Sequence, residues 1–228
     1  MSKNKNEKSN FKVDKSIAQQ RVKAIWPILK KTYPDARTSL DHTNALELLI
    51  ATIMAAQCTD VRVNIVTKTL FKKYKSAKDW VEAPIEQIEQ DIKSTGFYKN
   101  KAINIKTACQ KIIDNFGGKV PDNMKDLLTL NGVGRKTANV VLGNAYGIPG
   151  IVCDTHVIRL SRRLQLSVNS DPVKLEFDLM EIVPQKNWTH FSHLLVFHGR
   201  SICQARKPKC EICPIAKHCP AANNPKLW

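Results

Sequence analysis

No stretch of this sequence is long and apolar enough to cross a membrane. The longest apolar run, 45–56, is interrupted by Glu47 and falls well short of the ~20 residues that a spanning helix needs; it reads as a buried core helix. Residues 1–15 are polar and rich in Lys and Asn, and lack the apolar stretch of a secretory signal. A disordered basic tail is expected there. No lipid-anchor motif is present either. Acidic residues are in short supply: 20 Asp and Glu stand against 36 Lys and Arg, for a formal net charge of +16. A chain this basic, with no means of holding a membrane, is expected to meet nucleic acid. These absences point to an intracellular protein of the cytoplasm or nucleoid, with no membrane partner.

Alternating strand patterns are lacking too. Only 151–153 (Ile-Val-Cys) hints at one, and it is too short to stand alone. What is present is helical periodicity, over roughly 16–33, 44–57, 60–74, 85–93, 99–116, 124–130, 135–146, 155–166, 172–182 and 188–203. Asp171-Pro172 supplies an N-cap followed by proline at the first helical position, and Gly96, Gly117-Gly118 and Gly147 mark stops or turns. Pro27 conflicts with the first helix and predicts a kink or a late start. The chain is all-α, and its 228 residues, 43% of them hydrophobic, suffice for one large domain or two small ones. No repeat or low-complexity linker marks a boundary.

Two glycines spaced by one residue interrupt the helices at Leu130-Asn131-Gly132-Val133-Gly134-Arg135-Lys136. Gly132 and Gly134 permit unusual backbone angles and a close approach to a ligand. The helix that follows presents its positive end at the same place, so the turn suits a phosphate, with Arg135 adding charge. The pattern looks like a helix-hairpin-helix, which grips DNA backbone without reading bases. Lys136 opens the second helix, and a neutral lysine amine forms Schiff bases with carbonyl carbon. Asp154 precedes the helix at 155–166 and reads as its N-cap.

There are seven cysteines, an odd number, and no signal peptide, which argues against a secreted disulfide scaffold. Cys58, Cys109 and Cys153 are scattered and read as small core residues. Cys203, Cys210, Cys213 and Cys219 crowd the C-terminal end with six, two and five residues between successive members. Four thiolates so close suit a metal centre; by spacing alone, both tetrahedral zinc and a [4Fe–4S] cluster remain open. His190 and His193 share a helix face, where ordinary packing or a surface position is expected.

The segments 130–139 and 152–159, taken together, resemble the catalytic core of the helix-hairpin-helix DNA glycosylases, and specifically the endonuclease III family. Ala56-Gln57-Cys58-Thr59-Asp60, Gly96-Phe97-Tyr98, Asn100-Lys101-Ala102 and His198-Gly199-Arg200 add to the match, which runs from about Ala45 to Cys219. One departure is Asn131, where the family commonly has proline. The resemblance implies two helical domains with a DNA-binding cleft between them. A helical bundle would span 38–148 and contain the hairpin; 16–37 plus 149–228 would carry a C-terminal [4Fe–4S] loop on Cys203, Cys210, Cys213 and Cys219. Lys136 would be the catalytic nucleophile and Asp154 its partner, facing the cleft from opposite sides of the boundary. Gln57 would fill the gap left by a flipped nucleotide, and Phe97 would wedge against the opposite strand. Arg206, Lys207 and Lys209, between the first two cluster ligands, would meet phosphates. The implied activity is that of a monomeric base-excision repair enzyme, which removes oxidised pyrimidines from duplex DNA and cleaves the abasic site by β-elimination. A mismatch adenine glycosylase of the same superfamily would lack the lysine at 136 and carry an acid within 48–57, where this chain has none. A non-catalytic DNA clamp would leave the Lys136–Asp154 pair unexplained.

Overall fold

A computed structural model describes residues 13–224; most of the expected tail, 1–12, lies outside the described residues. Every element among those described is helical. The eleven α-helices are α1 (Lys15–Thr32), α2 (Ala45–Met54), α3 (Asp60–Lys73), α4 (Ala77–Glu82), α5 (Ile85–Ile92), α6 (Tyr98–Phe116), α7 (Met124–Leu127), α8 (Arg135–Ala145), α9 (Thr155–Arg163), α10 (Pro172–Ile182) and α11 (Trp188–Ser201).

The chain divides into two compact units. One comprises 36–152 and 185–193; the other comprises 1–35, 153–184 and 194–228. In the first, α2 is buried on all sides from Leu48 to Met54, as befits the central helix of a bundle. It packs against α3, α6 and α8, while α4 and α5 pack on α6. Trp80 of α4 is fully buried and stacks on Tyr74, with ring centroids 4.3 Å apart. In the second unit α1 buries Ala18, Val22, Ile25 and Leu29, a stripe at helical spacing, and packs on α10.

Several element ends follow local chemistry. Asp14 caps α1 by accepting from the backbone N–H groups of Ser16 and Ile17, so the last residues of the expected tail belong to the helix and its cap. The helix then runs unbroken through Pro27; no late start occurs, because the buried stripe lies on both sides of the proline. Asp171 and Pro172 open α10 as expected, and Gly117 ends α6 with a left-handed φ of 59°. Periodicity alone passes over α4, although Ser76 and Asp79 form a reciprocal capping box at its start.

The hint of a strand at 151–153 does not materialise. All three residues are buried, yet their backbone bonds go to side chains: Asn139 Nδ2 donates to the Ile151 carbonyl, and the Val152 N–H donates to Ser192 Oγ. Extended apolar residues are thus satisfied without a neighbouring strand.

Candidate DNA interface, active site and cluster loop

The turn at 128–134 links α7 to α8. The Val133 N–H closes it onto the Leu130 carbonyl, and Lys111 Nζ braces it by donating to the Thr129 carbonyl. Gly132 sits at φ +74°, and a Cβ added there would lie 3.0 Å from Asn104 Cβ. Gly134 is different: its φ is −98°, and nothing lies within 4 Å of an added Cβ. It faces open space and forms the N-cap of α8, beside the N–H groups that have no acceptor inside the helix. Arg135 is half-buried and Lys136 exposed on the first turn. The two glycines therefore predict different phenotypes. Gly132→Ala should cost about 1–2 kcal/mol of stability, since alanine resists the left-handed region. Gly134→Ala should cost only about 0.5 kcal/mol, for the poorer N-cap, yet weaken DNA binding, because its methyl group occupies the space a phosphate would use. Thermal unfolding and fluorescence anisotropy on each variant separate the two effects.

Gln57 and Phe97 share an unusual backbone. Their φ values are 54° and 49°, in the left-handed region that side chains seldom adopt and that costs on the order of 1–3 kcal/mol where the surroundings enforce it. Both are exposed; Phe97 keeps 63% of its surface accessible. Core packing is thus excluded for Phe97. Periodicity carries the second helix to Gln57, whereas α2 ends at Met54 and Gln57 lies on the loop beyond. Both loops belong to the bundle unit.

Asp154 falls in the other unit. It is half-buried, and its Oδ1 accepts from the Val157 N–H at 2.8 Å, which makes it the N-cap of α9. One carboxylate oxygen anchors the helix. From that helix Arg159 donates to the carbonyls of Gly199 and Cys203 and to His156 Nδ1. Gly199 is required by this approach, since a Cβ there would lie 2.9 Å from both the Arg159 and His156 side chains.

Cys203, Cys210, Cys213 and Cys219 line one hollow with Arg163, His198 and Ile215. All four are half-buried free thiols. Burial pushes the Cys213 thiol up to about 11, with further upward contributions from Cys219, Cys203 and Cys210. Burial likewise raises Cys210 and Cys219, and Cys203 adds to both. Three thiols that resist ionisation, gathered with Cys203 in one hollow, suit a cationic metal centre, whose charge favours the thiolate form. Four thiolates are a donor set that serves tetrahedral zinc and a [4Fe–4S] cluster alike, and here all four line one hollow.

Sequence reasoning missed Arg163 beside these thiols and named His198 only within the family match. Arg163 is 3% exposed; its guanidinium donates to Cys203 Sγ at 3.2 Å and to the Gln204 and Ala205 carbonyls at 2.7 and 2.9 Å. His198 is buried, with one ring nitrogen 3.5 Å from Cys213 Sγ and the other 2.9 Å from the Tyr33 hydroxyl. Burial pushes its pKa down to about 4, so the ring is neutral. The signal for Arg163 was its place on the apolar face of α9, where a cation needs buried acceptors. The loop between the first two cysteines keeps Pro208 buried and Arg206, Lys207 and Lys209 exposed, with Lys207 at φ 53°.

The remaining candidates are structural. Cys109 and Cys153 are buried, and burial pushes each thiol up to about 12; Cys58 is half-buried beside the bundle core. His193 Nε2 lies 2.9 Å from Asn144 Oδ1, and burial lowers its pKa to about 4, which fits packing rather than a metal pair.

Residues 50–185 match the model of the HhH-GPD superfamily of base excision DNA repair proteins, and residues 203–219 match the iron–sulfur binding domain of endonuclease III. Endonuclease III of Synechocystis sp. is 52% identical over 90% of this chain and 94% of its own length. The Bacillus subtilis enzyme of that name is 47% identical over 82% of this chain and 86% of its own. A solved structure of a trapped endonuclease III–DNA covalent intermediate superposes with a TM-score of 0.87 at 42% identity, covering 91% of this chain and 98% of that one. The chain belongs to the helix-hairpin-helix base-excision repair superfamily and, within it, to the endonuclease III family. It is a DNA glycosylase with abasic-site lyase activity, binds DNA and carries a [4Fe–4S] cluster.

Proposed function

We propose that this chain excises oxidised pyrimidines from duplex DNA and cleaves the resulting abasic site through a Schiff base on Lys136. The observation that carries the reading is the exposed lysine on the first turn of α8, immediately after the glycine turn. A phosphate held at that turn brings a sugar of the same strand within reach of Lys136. Lys136 Nζ attacks C1′, and the N-glycosidic bond breaks with its electron pair leaving on the base, which takes up a proton. The sugar ring opens to a protonated imine on Nζ. Loss of a C2′ proton then expels the 3′ phosphate oxygen, and hydrolysis of the imine frees Lys136. Asp154, with one oxygen committed to its helix cap, stabilises the positive charge that develops on the sugar. The structural neighbour trapped in covalent linkage to DNA supports a covalent step.

Gln57 would fill the space of the extruded nucleotide and Phe97 would enter the stack on the opposite strand. Gly132, Gly134 and Arg135 would hold one phosphate, and Arg206, Lys207 and Lys209 others. Cys203, Cys210, Cys213 and Cys219 are the ligands we assign to the cluster. When bound, it supplies structural crosslinking of the loop and no electrons to the repair reaction. In this reading the unit with the four cysteines is the iron–sulfur domain and the other is the helix-hairpin-helix domain. The chain acts as a monomer on damaged double-stranded DNA, in the cytoplasm or nucleoid where that DNA lies. Base release and strand scission measured together on a thymine-glycol duplex test the proposal. Both products should appear in equal amounts. Base release without scission would make the enzyme monofunctional, and neither product would make it a clamp.

A further inference from the structure

Lys101 is the odd cation of the bundle unit. It lies on α6, is 4% exposed, and belongs to a chain whose other lysines overwhelmingly face solvent. Its ammonium group makes no ion pair with a carboxylate among the described residues. It donates to two main-chain carbonyls, Met54 O and Thr95 O, each at 2.8 Å. Burying an ammonium is costly unless its hydrogens are taken up, and desolvation lowers its affinity for the proton. A methionine or leucine would fill the same space without that cost, so packing alone does not explain a lysine here.

The two acceptors explain it. Met54 is the last residue of α2, and in a continuing helix its carbonyl would receive the Cys58 N–H. The Cys58 N–H instead goes to the Ala55 carbonyl, because the chain leaves the helix and turns through Gln57 at φ 54°. The freed carbonyl lies at the negative end of α2, where a cation is favoured. Thr95 closes the short turn Lys93–Thr95; its own hydroxyl is tied back to Ile92, and the chain then turns through Gly96 and Phe97 at φ 72° and 49°. One ammonium group thus holds the roots of two loops, three residues before Gln57 and two before Phe97. Packing of α2 on α6 brings the two roots near each other, and the ammonium group ties them to one point across 47 residues of sequence.

We propose that Lys101 is a positioning residue that fixes the Gln57 and Phe97 loops relative to each other, so that both side chains enter the DNA together. The inference rests on the reading above, in which those two residues insert into the duplex. Lys101 touches neither DNA nor the reacting atoms. Its contribution is to the step that opens the stack, and a substrate with no stack to open should not need it.

The test compares Lys101→Met, Lys101→Arg, Gln57→Ala and Phe97→Ala with wild type. Each is given an abasic site in duplex DNA, with 2-aminopurine beside the site to report unstacking, and the same site in single-stranded DNA. Lys101→Met should lose about tenfold or more in duplex nicking rate, with a matching loss of the 2-aminopurine rise, as should the two loop variants. On single-stranded DNA its rate should stay at the wild-type level. Lys101→Arg keeps the cation and should retain most of the duplex activity. Equal losses on both substrates would mean general structural damage and would overturn the proposal. So would a wild-type Lys101→Met beside impaired loop variants. If Gln57→Ala and Phe97→Ala are themselves unimpaired on duplex, the insertion reading is what fails. Should Lys101→Met not fold, Lys101→Gln replaces it, and full duplex activity in that variant would refute the role.

Discussion

Lys136→Gln should abolish strand scission while leaving DNA binding nearly intact. The substitution keeps most of the side chain's length and its polarity but removes the amine that we propose forms the imine. Removal of a nucleophile typically costs several orders of magnitude in rate, so a drop on the order of 10⁴-fold or more is expected. Lys136 is exposed on the first turn of α8, so the fold has little to lose. The glycine turn and Arg135 remain, and affinity for an abasic duplex should change only a few-fold. Asp154 offers an instructive contrast. Asp154→Asn still presents an oxygen to the Val157 N–H and should hold α9, whereas Asp154→Ala should lose about 1 kcal/mol of stability with the cap. Both should lose activity through the missing charge, so a difference between them in unfolding midpoint but not in rate separates the two duties of the residue.

Cys210→Ser should produce a colourless protein that binds DNA weakly and with a shallower dependence on salt. The loop between Cys203 and Cys210 has little regular structure, and the Arg163 guanidinium reaches only its first residues, Gln204 and Ala205. Beyond them, among the described residues, only the Lys209 N–H, which donates to the Ile202 carbonyl, and the buried Pro208 hold the loop, and in the proposed reading the cluster would fix Arg206, Lys207 and Lys209 through Cys210. Each cation that no longer meets a phosphate should reduce the slope of log affinity against log salt by about 0.9, so freeing all three moves it by roughly 2 to 3. Lys209→Ala alone should move it by about 1 with the brown colour intact. Scission per bound complex should survive in Lys209→Ala, because in the proposed reading the loop would hold DNA and take no part in the bond-breaking steps.

Much of this architecture can be read from the sequence because it is written in local rules. Asp171-Pro172 announces α10, Gly117 ends α6, and the glycine spacing at 132 and 134 marks the hairpin. Cysteine spacing marks the cluster loop but leaves the metal open, because four gathered thiolates serve either centre; the match of 203–219 to the iron–sulfur domain decides it. What stays hidden depends on long-range partners. The end of α2 is invisible from 44–57 alone, because the group that donates to the Met54 carbonyl is a lysine 47 residues away. The apolar residues at 151–153 resemble a strand until Asn139 and Ser192 are seen to satisfy their backbone. Arg163 reads as one more surface cation in a chain of 36 Lys and Arg until α9 turns it inward onto Cys203. Phe97 could have belonged to the core; its left-handed, exposed placement beside Gly96 is a property of the folded loop.

The most direct test of the central claim is borohydride trapping on an abasic duplex and on a thymine-glycol duplex, with wild type beside Lys136→Ala and peptide mapping of any adduct. A covalent protein–DNA band is expected in wild type only, with the reduced linkage mapped to Lys136. An adduct of equal yield in Lys136→Ala, or one mapped to another amine in wild type, would contradict the Schiff-base assignment.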